Sequence, residues 1–209
     1  MERSPLTRLS SAALGLGGIA GAAFVIVSRG EITGALAMLS PRWMVAHNLH
    51  FISAALLLFG VVGLYLTHSD QATVGGHFSF VLALLGTAFF FAGGVITAAV
   101  LPFVAGMAPN VVAANGPLFH PPLPVLVVSF TVFSLGWIAL GVVVARSGVF
   151  PGWTGWMIAA GAVIQAIPPV PFGPAPWILT DLGWSILAIG LLGVSYHGWR
   201  APEIQRAVA

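Results

Sequence analysis

Between Asp70 and Arg146 the chain passes through 75 consecutive residues, 71–145, without a single Asp, Glu, Lys or Arg. A water-facing protein carries about a quarter charged residues, spread over every exposed loop and helix face, so such a run has no place on a solvated surface. Here the whole chain is 58% hydrophobic and 6% charged. Lipid is the solvent that accommodates it. Inside hydrocarbon the backbone must satisfy its own N–H and C=O groups, which leaves helices or a closed barrel. The apolar runs are continuous rather than alternating, which selects helices. The expectation is an all-α, polytopic transmembrane bundle of about six spans, forming one membrane domain over residues 1–209.

Apolar runs bounded by proline, glycine and arginine place the spans at about 10–28, 41–66, 78–101, 125–145, 153–167 and 177–197. The first follows Arg3 and Arg8 and has the charge pattern of a leader, but reads as a retained helix, with Gly17 and Gly21 forming a small-residue contact face. Ser40 is the expected N-cap of the second, ahead of Pro41. Pro102 is expected to stop the third, and Pro168 and Pro169 the fifth. With the N-terminus inside, Arg3, Arg8, Arg146, Arg200 and Arg206 are cytoplasmic and only Arg29 and Arg42 external, so the arginine bias predicts both termini in the cytoplasm. Trp43 and Trp177 then fall at outer helix ends, and Tyr65, Trp153, Tyr196 and Trp199 at inner ones. Eleven of the 15 prolines sit in the two external connections, 101–124 and 168–176, which predicts stiff, packed loops.

Composition also removes whole classes of chemistry. There is no Cys, hence no disulfide, thiolate ligand or thiol nucleophile, and no Lys, hence no lysine Schiff base. A net charge of +2 gives no basic surface for nucleic acid. No strand precedes a glycine-rich turn, so the glycines, among them Gly60, Gly63, Gly93, Gly94, Gly136, Gly155 and Gly161, read as close-packing positions and not as a phosphate cradle.

The expected topology gathers Glu31, His47, Asn48, His50, Asn110, Asn115, His120, Gln165 and Asp181 at the external side, with Met38, Met44 and Met107. His47 and His50, three apart on one helix, face the same interior. Together with His120 and Asp181 they form a candidate metal site, to which Met44 or Met107 would add a thioether suited to copper. Haem would need one of this pair with His120, or His68 or His77 with His197. Against these stand plainer readings: His47, His50 and Gln165 as bonds between helices, Asp181 as a first-turn acid behind a Thr180 cap, and His68, His77 and His197 in the wet inner interface.

The stretch Trp43-Met44-Val45-Ala46-His47-Asn48-Leu49-His50, continued by Gly60-Val61-Val62-Gly63-Leu64-Tyr65, Gly75-Gly76, Leu101-Pro102 and Ala108-Pro109, resembles small multi-pass bacterial membrane proteins of uncharacterised function. The resemblance spans about the middle half of the chain and implies the architecture alone.

Three functions follow as expectations. The first is a non-catalytic accessory or anchoring subunit of a larger complex in the inner membrane, its partners being lipid and other membrane subunits. The second is an external-side His/Met/Asp site for a metal ion or haem, with redox activity as its expected use. The third is a small-solute transporter, which lacks an inverted repeat. A lipophilic pigment or quinone held between helices would leave no mark on composition.

Overall fold

The computed structural model describes residues 5–29, 34–68, 73–113, 116–118, 124–166 and 175–208, with backbone alone at 124–127, 175–177 and 200–208. Among these residues every element is helical: α1 (Pro5–Ser28), α2 (Ala35–Met38), α3 (Pro41–His68), α4 (Val74–Val95), a π-helical turn (Ile96–Val100), α5 (Leu101–Met107), α6 (Pro124–Arg146), α7 (Gly152–Gln165) and α8 (Ala175–Val208). Among the described residues five segments are long and apolar enough to cross a membrane: Pro5–Ser28, Pro41–His68, Val74–Met107, Val128–Arg146 and Ile178–Trp199. The expected fifth span is α7, whose 14 residues extend only about 21 Å against a hydrocarbon layer of about 30 Å.

The helices close into a ring. α1 packs on α3, α3 on α4, α4 on α6, α6 on α7, α7 on α8, and α8 returns to α1. Small residues set the spacing. Gly17 of α1 sits against Leu57 of α3, and Gly21 against Ser53 of α3 and Trp184 of α8, so the expected glycine face of the first helix meets two neighbours. α7 threads between α6 and α8 through Gly155, which abuts the backbone of Ala145, and Gly161, which abuts that of Leu187. Ser11 of α1 lies beside Gly198 of α8, and Arg29 beside Asp181, so α1 and α8 are antiparallel. The start of α1 and the last part of α8 therefore share one end of the bundle, the near end; α2 and α5 lie at the far end.

One stripe on α3 explains the centre of the ring. Trp43, His47, His50, Ala54, Leu57, Val61, Leu64 and His68 recur at alternating steps of four and three and are all buried, the spacing of a helix that faces its partners along a single seam. Of these, Ala54, Leu57, Val61 and Leu64 share one continuous core with Leu14, Phe90, Phe133, Trp137, Trp184, Leu187 and Leu191.

Local chemistry sets the helix ends. The Ser40 hydroxyl accepts from the Trp43 amide at 3.2 Å, capping α3 as expected. α4 begins at Val74 rather than near 78, because the Thr73 side chain caps it by accepting from the Gly76 amide at 3.3 Å. Pro102 does not end the third span. The ladder first widens into the π turn, the Leu101 amide reaching the Ile96 carbonyl. The next residue able to serve the Thr97 carbonyl would be Pro102, which has no N–H. The indole of Trp43 donates to that carbonyl instead, at 2.9 Å, and the helix runs on to Met107.

Beyond it, part of the proline-rich connection is packed as expected: Val112 is buried with Met38, Trp43, Leu101 and Ala105 in a second, smaller core at the far end. The connection at 168–174 lies outside the described residues.

Candidate functional site

His47 and His50 do face one interior, as their spacing requires, and that interior is made of rings. His50 stacks on Phe24 of α1 with centroids 4.8 Å apart and meets Phe90 of α4 at 4.1 Å. His47 packs on Trp43 at 4.0 Å and on Phe24 at 5.6 Å. The two imidazole centroids are 6.3 Å apart. Gly93 and Gly94 of α4 lie beside the His50 ring, and Gly94 lets α4 approach α3 closely: a Cβ there would stand 3.0 Å from Phe51 Cα. Both histidines are buried. The Phe90 backbone lies near the His50 ring but not in hydrogen-bonding geometry, so both His50 nitrogens are buried without a hydrogen bond. The indole nitrogen of Trp184, which stacks on Phe90 and Phe133, is in the same state.

Of the other proposed ligands, Asp181, Met44 and Met107 are not brought to these histidines. The Asp181 carboxylate is engaged by Arg29 Nε at 3.1 Å, tying the end of α1 to α8. α8 starts at Ala175, so Asp181 lies in its second turn and the first-turn, Thr180-capped reading is not what the chain does. Met44 and Met107 are exposed on the outside of the bundle. His120, Glu31 and Asn115 fall outside the described residues. Among the described residues no three His, Cys, Asp or Glu side chains are placed to hold a metal ion. Gln165 does bridge helices: its amide donates to Ser134 Oγ at 3.1 Å, joining α7 to α6. Asn48 is exposed and donates to the Met44 carbonyl of its own helix, and Asn110 is exposed.

At the near end His68 differs from expectation. It is 2% exposed and not in the wet interface. Its Nδ1 donates to the Leu64 carbonyl at 2.8 Å, Nε2 meets Ser147 Oγ at 3.1 Å, and the ring packs on Phe150. His68 thereby joins the end of α3 to the turn after α6, on the floor of a cavity of about 660 Å³ that also touches Thr73, Ser79, Val142, Val143 and Arg146. A second groove, of about 490 Å³, runs between α3 and α4 along Val61, Phe80, Val81 and Leu84, with Tyr65 and His77 as its polar members. The signal for His68 was present in the sequence as the next step of the buried α3 stripe.

No family profile, no curated protein and no solved structure matches this chain.

Proposed function

We propose that the chain is a non-catalytic subunit of a larger assembly in the cytoplasmic membrane, both termini facing the cytoplasm, which works through the surfaces it presents. The far-end cap carries this reading. α2, α5 and the following turns are held rigid by their own small core of Met38, Trp43, Leu101, Ala105 and Val112. On their outward side stand Leu36, 89% exposed, Phe103, 66%, and Met107, 72%. A fixed apolar ledge at the end of a bundle is the kind of surface a partner covers. The polar side chains of the interior, meanwhile, support helix-to-helix packing: Asp181 with Arg29, Gln165 with Ser134, Trp137 with Thr87, and Ser53 with the Gly17 carbonyl.

The test is to purify the protein in mild detergent from the membranes that make it and to weigh the intact particle. A second polypeptide in fixed ratio is expected, lost from Phe103→Glu and Met107→Glu variants that melt like the parent. A lone chain under conditions that preserve other membrane complexes ends the proposal.

One observation favours a second reading, a metal or haem site: two imidazoles with centroids 6.3 Å apart share a buried, ring-lined space towards the far end. Elemental analysis and an absorption spectrum of the purified protein decide it. Absence of both stoichiometric metal and a Soret band removes it.

A further inference from the structure

The near-end cavity exists because two helices that touch then part. α4 and α6 meet backbone to backbone where Gly86 faces Phe133 and Gly136 faces Ala83. Towards the near end they diverge, and Gly75 and Gly76 leave the first turn of α4 without side chains, opening the wedge of about 660 Å³. Its composition is graded. At the mouth are Arg146, Ser147 and Thr73; further in, along α6, come Val143, Val142 and Ala139. From Arg146 to Ala139 is seven residues, about 10 Å along the helix. The wedge therefore leads from the end of a span into its apolar depth.

Among the described residues Arg146 is the one Arg, Lys, Asp or Glu side chain lining it. Among the described residues it makes no ion pair. The hydroxyls near it already have partners within the protein: Ser79 donates to the Gly75 carbonyl, Thr73 accepts from the Gly76 amide, and Ser147 lies between the Val144 carbonyl and His68 Nε2. The guanidinium is the cation at this mouth among the described residues, and its planar fork suits a phosphate. A mouth for an anion above an apolar slot describes an amphiphile.

We infer that the wedge between α4 and α6 binds an anionic phospholipid, its phosphate at Arg146 and an acyl chain along Val143, Val142 and Ala139. The site does not depend on the subunit reading above, and it needs only that the bundle lies in a membrane.

Delipidated protein in a non-ionic detergent, titrated with phosphatidylglycerol or phosphatidylcholine and followed by native mass spectrometry, tests this. Phosphatidylglycerol is expected to bind about tenfold tighter: both lipids bring a phosphate, but in phosphatidylcholine the attached trimethylammonium offsets its charge and is repelled by Arg146. Arg146→Gln should abolish that preference, and Ala139→Phe, which keeps the charge but fills the slot, should weaken phosphatidylglycerol binding by a similar factor. Arg8→Gln, which removes a charge elsewhere at the near end, should leave it unchanged. Equal binding of the two lipids, or an Arg146→Gln protein that keeps the preference, overturns the inference. So does an Ala139→Phe protein that melts like the parent and binds as well, since the attraction would then be to surface charge. Competition by millimolar inorganic phosphate would mean a site for a free anion and overturns the lipid assignment.

Discussion

Replacing Gly86 with alanine should destabilise the bundle although alanine is the better helix former. The added Cβ would lie 2.5 Å from Phe133 Cα and 2.6 Å from Phe133 N, against about 3.5–4.0 Å for carbon atoms at ordinary contact. These are backbone atoms of α6, so no rotamer change relieves the clash; the two helices must separate by about 1 Å. Overpacking of this kind costs about 1–3 kcal/mol. The separation also stretches the adjacent bond from Trp137 Nε1 to Thr87 Oγ1, now 3.1 Å, worth about 1 kcal/mol. Helix propensity returns up to about 1 kcal/mol, leaving a net loss of about 1–3 kcal/mol and a fall in melting temperature of about 2–12 °C for a chain of this size. Gly106 is the control. A Cβ there meets nothing within 4 Å, so Gly106→Ala should hold or raise the melting temperature. Tryptophan fluorescence during heating in detergent reads both. Gly86→Ala melting at or above the parent would refute the close crossing of α4 and α6, and with it the wedge that follows from their divergence.

Three further outcomes are expected. His50→Leu should keep stability or raise it by up to about 2 kcal/mol, because it removes buried nitrogens that lack hydrogen bonds; a fall above about 1 kcal/mol, measured by the same melts, would mean that the imidazole has a partner the packing does not explain. Trp43→Phe should lower stability by about 1 kcal/mol and speed deuterium uptake over 101–113 more than over 74–95, since it withdraws the donor from the Thr97 carbonyl and loosens the far-end core. A double-mutant cycle of Arg29→Gln with Asp181→Asn should give a coupling below about 1 kcal/mol, Arg29 being half exposed; a much larger coupling would place the pair in a drier setting than its exposure implies.

The architecture was legible because its cause is compositional: a 75-residue stretch without charge admits few solvents, and Ser40-Pro41 marks a helix start by local rules. The boundary missed at Pro102 was missed for a tertiary reason. Whether a proline ends a helix depends on whether another donor reaches the carbonyl it leaves open, and here the donor comes from Trp43, 54 positions earlier in the chain. The candidate site was legible only within one helix. Spacing put His47 and His50 on one face, and the same spacing extended to His68, but it held no information on Arg29 reaching Asp181 from another helix or on Met44 pointing outwards. The rings of Phe24 and Phe90 that close around the histidines come from α1 and α4. Apolar residues in apolar spans carry no marker that tells a cage from ordinary core.

The contact between α1 and α8 has a consequence for how the protein is made. α1 enters the bilayer well before α8 is synthesised, yet the surface that holds Gly18 and Gly21 is completed by Ala188 and Trp184. Until α8 arrives, that slot is lined on one side only by lipid. Closure of the ring therefore waits for α8, and a chain stopped after α7 would present an unsealed seam to quality-control proteases however well its earlier helices had inserted.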